Sequence, residues 1–153
     1  MTTSASCSMA PESRRSESLG APEERSSGRR LNWHVGLIDE ADMRTIAPYV
    51  DAVSFDLVGD EETIREVYGL DKTPADYMRT YAMLRRHAPV VPHITIGLRG
   101  GELGHERRAM DLLAEAGAEA LVFIVFMPTP NTGYARRAPP QADEVALILA
   151  EAR

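Results

Sequence analysis

From residue 31 onward, apolar and polar positions alternate with a period that switches along the chain. Residues 31–37 (LNWHVGL), 52–58 (AVSFDLV) and 90–98 (VVPHITIGL) alternate with a period of two, the pattern of strands with one face buried. Residues 120–127 (ALVFIVFM) are apolar throughout, as expected of a parallel strand covered on both faces. The intervening stretches read as helices. The first runs from residue 39 or 40 to about 47, before Pro48; the second spans 61–68 and is closed by Gly69. The third begins at Thr73-Pro74-Ala75-Asp76. Thr73 suits the cap, Pro74 the first helical position and Asp76 the positive end of the dipole. It is expected to reach about residue 87, with Tyr77, Tyr81 and Leu84 on one core-facing side. Helices over 105–116, closed by Gly117, and from 141 onward complete the series.

Strand and helix thus alternate four times, which predicts parallel βα units in an α/β fold rather than hairpins. The first three strands divide by parity. One set is apolar: Trp33, Val35 and Leu37; Val53, Phe55 and Leu57; Ile94, Ile96 and Leu98. The other is polar or small: Asn32, His34 and Gly36; Ser54 and Asp56; His93, Thr95 and Gly97. A doubly wound sheet has helices on both faces and wants both apolar. A barrel lines its interior with one parity, and a polar interior is a ligand site. The expected fold is a partial (βα) barrel over residues 31–153. Four units cannot close a barrel, so the missing strands come from another chain or the chain is a remnant.

Residues 1–30 alter this picture little. They are dominated by Ser, Arg, Glu, Gly and Pro and carry no aromatic residue, so they are expected to stay disordered. Four glutamates there argue against a transit peptide. The net charge of −6, without a basic stripe, gives no expectation of nucleic-acid binding. No apolar run suggests a membrane span. The single cysteine, Cys7, excludes a disulfide framework and a cysteine-held metal within the chain, and suggests a cytoplasmic protein.

Five segments, in order, carry a family resemblance: Asn32–Leu37, Val53–Asp60, Val67–Leu70, Pro92–Leu98 and Pro128–Thr132. Together they resemble radical S-adenosylmethionine (radical SAM) proteins of a biotin-synthase-like group. The resemblance covers about residues 31–153. It implies a barrel of six βα units, of which the four strands here are similar to the third through sixth. The family's Cys-x3-Cys-x2-Cys loop, which holds a 4Fe–4S cluster, precedes that region and has no counterpart in this sequence. The resemblance further implies an S-adenosylmethionine cradle formed by Asp56, by Gly97 where backbone passes the cofactor, and by Phe123, Ile124, Val125 and Phe126 against the adenine. Glu102 and Glu106 are candidates for a family glutamate that follows the glycine. In the family, the cluster cleaves the cofactor reductively to a 5′-deoxyadenosyl radical that abstracts a substrate hydrogen.

The remaining inward residues, Asn32, His34, Ser54, His93 and Thr95, form the expected substrate pocket. Two histidines beside Asp56 suggest function as much as core satisfaction. Metal coordination by His34, Asp56 and His93 is conceivable, but their spacing is no metal signature, so no metal is expected. The turn over residues 99–104 precedes a helix, where an anion site is one reading, yet it is not a phosphate-loop motif and reads better as a flexible connection. Three functional readings stand: part of a radical SAM enzyme completed by another polypeptide or by residues missing from this chain, sulfur insertion being the alternative within that class; an inactive barrel remnant; or a partner-binding subunit. An aldolase-type barrel is set aside, because the only lysine, Lys72, lies outside any strand.

Overall fold

The computed structural model describes residues 30–153. Four parallel strands form one sheet in the order β1-β2-β3-β4, with β1 Asn32–Val35, β2 Ala52–Asp56, β3 Val90–Ile96 and β4 Val122–Val125. Five helices alternate with them: α1 Glu40–Ile46, α2 Glu61–Tyr68, α3 Pro74–Leu84, α4 Glu106–Glu115 and α5 Ala142–Glu151. Among the described residues no helix is long and apolar enough to cross a membrane. The expectation of a disordered tail falls almost wholly on residues outside those described.

Local sequence sets the boundaries. Asp39 caps α1 by accepting the Asp42 N–H at 2.9 Å, and Asp60 caps α2 by accepting the Thr63 N–H at 2.7 Å. Thr73 and Asp76 form a reciprocal capping box on α3. Gly69 ends α2 at φ +66°, a left-handed conformation that costs glycine little. Helix α3 stops at Leu84, short of residue 87. The N–H groups of Arg86 and His87 bond to carbonyls three residues back, and Pro89 disfavours helix at the residue before it. β3 stops at Ile96 because Gly97 turns the backbone to φ +73°.

The two faces of the sheet differ as parity predicts. Val53, Phe55, Ile94 and Ile96 are fully buried, and the first three pack in one cluster with Met43, Ile64, Tyr77, Tyr81 and Leu84 from the helices. Phe55 meets both tyrosine rings, at 6.0 Å and 6.4 Å between centroids. In parallel register, His34 lies beside Ser54, Asp56 beside His93, and Thr95 beside Ile124. These residues share the opposite face, where Ser54 is 3% exposed and Ile124 39%.

β4 departs from its expected environment. It lies at the sheet edge, with Val122, Ile124 and Val125 each about two-fifths exposed. An apolar run cannot by itself distinguish a covered strand from one left open. The turn over residues 99–104 is also not a loose connection. Arg99 and Glu102 form a β-bridge. A Cβ on Gly101 would stand 2.1 Å from the Ala138 carbonyl oxygen, and one on Gly100 would stand 2.7 Å from the Tyr134 ring. The segment after β4 therefore packs directly onto this turn.

Candidate functional site

Polar side chains on this face pair across the strands in two rows, the second of which lies near the C-terminal ends of β1 and β2. Asn32 donates from Nδ2 to Ser54 Oγ at 2.8 Å, joining β1 to β2. One step further along, His34 Nε2 lies 3.0 Å from Asp56 Oδ2. From β3, His93 Nδ1 lies 3.7 Å from Asp56 Oδ1. The two imidazoles meet edge to face, with centroids 5.4 Å apart. Asp56 thus stands between two histidines supplied by its neighbouring strands. This follows from the register: His93 is its direct partner, and the long His34 side chain spans the diagonal from the Ser54 position.

Burial grades across this group. The His34 side chain is 55% exposed and that of His93 only 14%. Burial holds the His93 imidazole below its ordinary pKa; the Asp56 carboxylate opposes that shift and His34 adds to it. Asp56 Oδ1 and His93 Nδ1 are both buried atoms with no hydrogen-bond partner, and 3.7 Å between them is too long for a hydrogen bond.

A cavity of about 190 Å³ opens beside His34 and Asp56, lined also by Leu37, Tyr68, Leu70 and Tyr77. Burial, helped by the Asp56 charge, pushes the Tyr68 phenol up to about 12. The same two causes raise Tyr77. The tyrosines escape sequence reasoning: Tyr77 reads as core from its helical spacing, and Tyr68 is the last residue of α2 before a glycine. Their distance from β1 and β2 in sequence conceals the shared cavity. Two larger cavities, of about 570 and 700 Å³, lie elsewhere, one against α1 and α3 and the other against α4 and α5.

The structure gathers Asn32, His34, Ser54, Asp56 and His93, with Thr95 one step beyond His93 on the same face. Gly97 has protein neighbours of its own. Its N–H donates to Glu106 Oε1 at 2.8 Å, and a Cβ there would stand 2.9 Å from the Pro140 ring. Glu106 is 1% exposed and also accepts the Gly104 N–H at 2.6 Å. It holds the turn together and takes up one amide at the start of α4. Glu102 lies at the surface, 3.8 Å from Arg137 and 3.9 Å from Arg99. Phe123, Ile124 and Val125 form the edge strand. The Phe126 N–H donates to the Ile96 carbonyl at 2.9 Å; strand alternation then turns the peptide groups of Phe123 and Val125 away from β3. Phe126 packs edge to face on Tyr134.

The residues do not fit a 4Fe–4S cluster of the radical SAM kind. Such a cluster takes three thiolates from its motif, and the sequence has one cysteine, Cys7, outside the described residues. Comparison with known proteins finds no matching family model and no matching curated protein.

Proposed function

We propose that residues 31–153 are an arc of a (βα) barrel of the radical SAM type and form part of an S-adenosylmethionine and substrate pocket. The rest of the barrel and its cluster ligands would come from polypeptide outside this sequence. The observation that carries the reading is the sheet itself. Its four parallel strands run in unreversed chain order, with one face closed by helices and the other open and lined by Asn32, His34, Ser54, Asp56, His93 and Thr95. A doubly wound sheet reverses its order and covers both faces, whereas a barrel arc does neither. Parallel α/β folds place their sites at the C-terminal strand ends, where the cavity between His34 and Tyr77 opens.

In this reading the outward peptide groups of Phe123 and Val125 meet the adenine, and the His34–Asp56–His93 group faces the substrate. Gly97 supports the fold through Glu106 and Pro140 rather than a ligand. No radical step is assigned to this chain, because it cannot hold the cluster.

Titrating S-adenosylmethionine into the isotope-labelled chain tests the proposal by amide chemical shifts. Shifts centred on Phe123–Phe126, with a Kd of about 1 mM or weaker, are expected of a half-pocket. Absence of any shift there at saturating cofactor would remove the S-adenosylmethionine assignment. Anaerobic reconstitution should give no stoichiometric cluster; iron binding with release of 5′-deoxyadenosine by this chain alone would refute the need for a missing half.

A further inference from the structure

We propose that His34, Asp56 and His93 bind one divalent transition-metal ion on the open face of the sheet, leaving at least one coordination position for water or a substrate atom. The three residues come from adjacent strands, and each offers a donor atom within 4.8 Å of the others. Two imidazole nitrogens and one carboxylate oxygen form a donor set for zinc, iron(II) or manganese rather than for calcium or magnesium, which prefer oxygen alone.

Hydrogen bonding leaves this group incomplete. Asp56 Oδ1 and His93 Nδ1 are buried, face each other at 3.7 Å and have no partner. An ion bonded to both would satisfy the two at once. Metal–ligand bonds of about 2.0–2.2 Å put tetrahedral donors roughly 3.3 Å apart. The two contacts to Asp56, 3.0 Å from Oδ2 to His34 Nε2 and 3.7 Å from Oδ1 to His93 Nδ1, fall on either side of that value, and one donor atom from each residue lies within 4.8 Å of the others. Rotation of the half-exposed His34 side chain can draw its donor atom into the same shell. Its exposure also leaves the fourth position open to solvent, the arrangement of a catalytic rather than a structural centre. All three ligands belong to one chain, so the site needs neither the rest of a barrel nor S-adenosylmethionine.

Calorimetric titration of Zn2+ into the metal-depleted full chain at neutral pH tests this directly. One ion per chain with micromolar or tighter affinity is expected. His34→Ala, Asp56→Asn and His93→Ala should each weaken binding by at least about 10-fold, the smallest effect usual for residues that merely support a ligand. His87→Ala and Cys7→Ser should change nothing, because His87 pairs with Glu40 away from this face. Titration with Co2+ should give visible absorption bands of a four- or five-coordinate ion, lost in His34→Ala. If His93→Ala fails to fold, the exposed His34 carries the test. No saturable one-to-one binding, or wild-type affinity in His34→Ala, would overturn the proposal. So would a loss of binding in His87→Ala or Cys7→Ser. Because the probes are metal ions alone, a failed S-adenosylmethionine titration leaves this outcome unaffected.

Discussion

The two faces of one sheet show how differently neighbouring residues are used. Phe55 and Asp56 are adjacent in β2, yet Phe55 is fully buried between two tyrosines, while Asp56 faces two histidines on an uncovered surface. Both faces rest on the same backbone ladder. The helix-covered face carries the folding free energy, through apolar area removed from water. The open face carries chemistry and adds little to stability, since its ion pairs remain partly in solvent.

The sharpest test of this division compares Phe55→Ala with His34→Ala. The first should cost about 3–5 kcal/mol, the usual range for emptying a buried aromatic site. The second should stay within about 0.5 kcal/mol, as for most surface changes. Denaturant midpoints measure both. A comparable loss in the two variants would show that the open face is structural after all. Next in size is Gly59→Ala. An added Cβ would stand 2.2 Å from the His105 carbonyl oxygen and 2.6 Å from the Ala109 nitrogen, so the start of α4 must shift. A loss of about 1–3 kcal/mol is expected for such overpacking, and a neutral result in thermal melting would mean that α4 yields freely.

The smallest effect concerns the cavity where the two faces meet. The Tyr68 phenol ionises at about 12 in the fold and at about 10 in an unfolded chain. Between those values the unfolded state gives up its proton first, so stability falls as pH rises through that window. Tyr68→Phe removes this loss, and its alkaline unfolding midpoint should lie slightly above the wild-type value. Tyr68 is 41% exposed, which keeps the difference small. An unchanged or lower midpoint would show that Asp56 and burial do not hold that phenol neutral.

Much of the fold is legible in the sequence because its signals are local. Period-two alternation fixes which residues of β1, β2 and β3 face the helices, and Thr73, Gly69 and Gly117 mark helix ends. What escapes such reading depends on long-range contact. The run over residues 120–127 has the same apolar composition whether its strand is covered or at an edge. The glycines at 100 and 101 read as a flexible turn, and Gly97 by resemblance as a cofactor contact, until residues 134–140 are seen to pack on them. Glu106 is a candidate for the family glutamate by resemblance, and in the fold it is buried and accepts two turn amides. The candidate site divides in the same way. Parity places His34, Asp56 and His93 on one face, but only the register brings their donor atoms together. Their separation in sequence therefore matches no metal-ligand spacing pattern.

His105 has a consequence for how such a repeat can be shortened or exchanged. It is buried, accepts the Gly59 N–H at Nδ1 over 3.3 Å, and donates from Nε2 to the Thr95 carbonyl at 3.0 Å. One imidazole thereby bolts the connection after β2 to the end of β3 and the start of α4. Cutting the chain between repeats would strand hydrogen-bonding groups on both sides of the cut. The units look modular in sequence but are cross-linked in space, so amide exchange should open the middle of the arc as one cooperative block. Recombining this domain with a foreign half-barrel would have to respect a seam that runs through the repeats rather than between them.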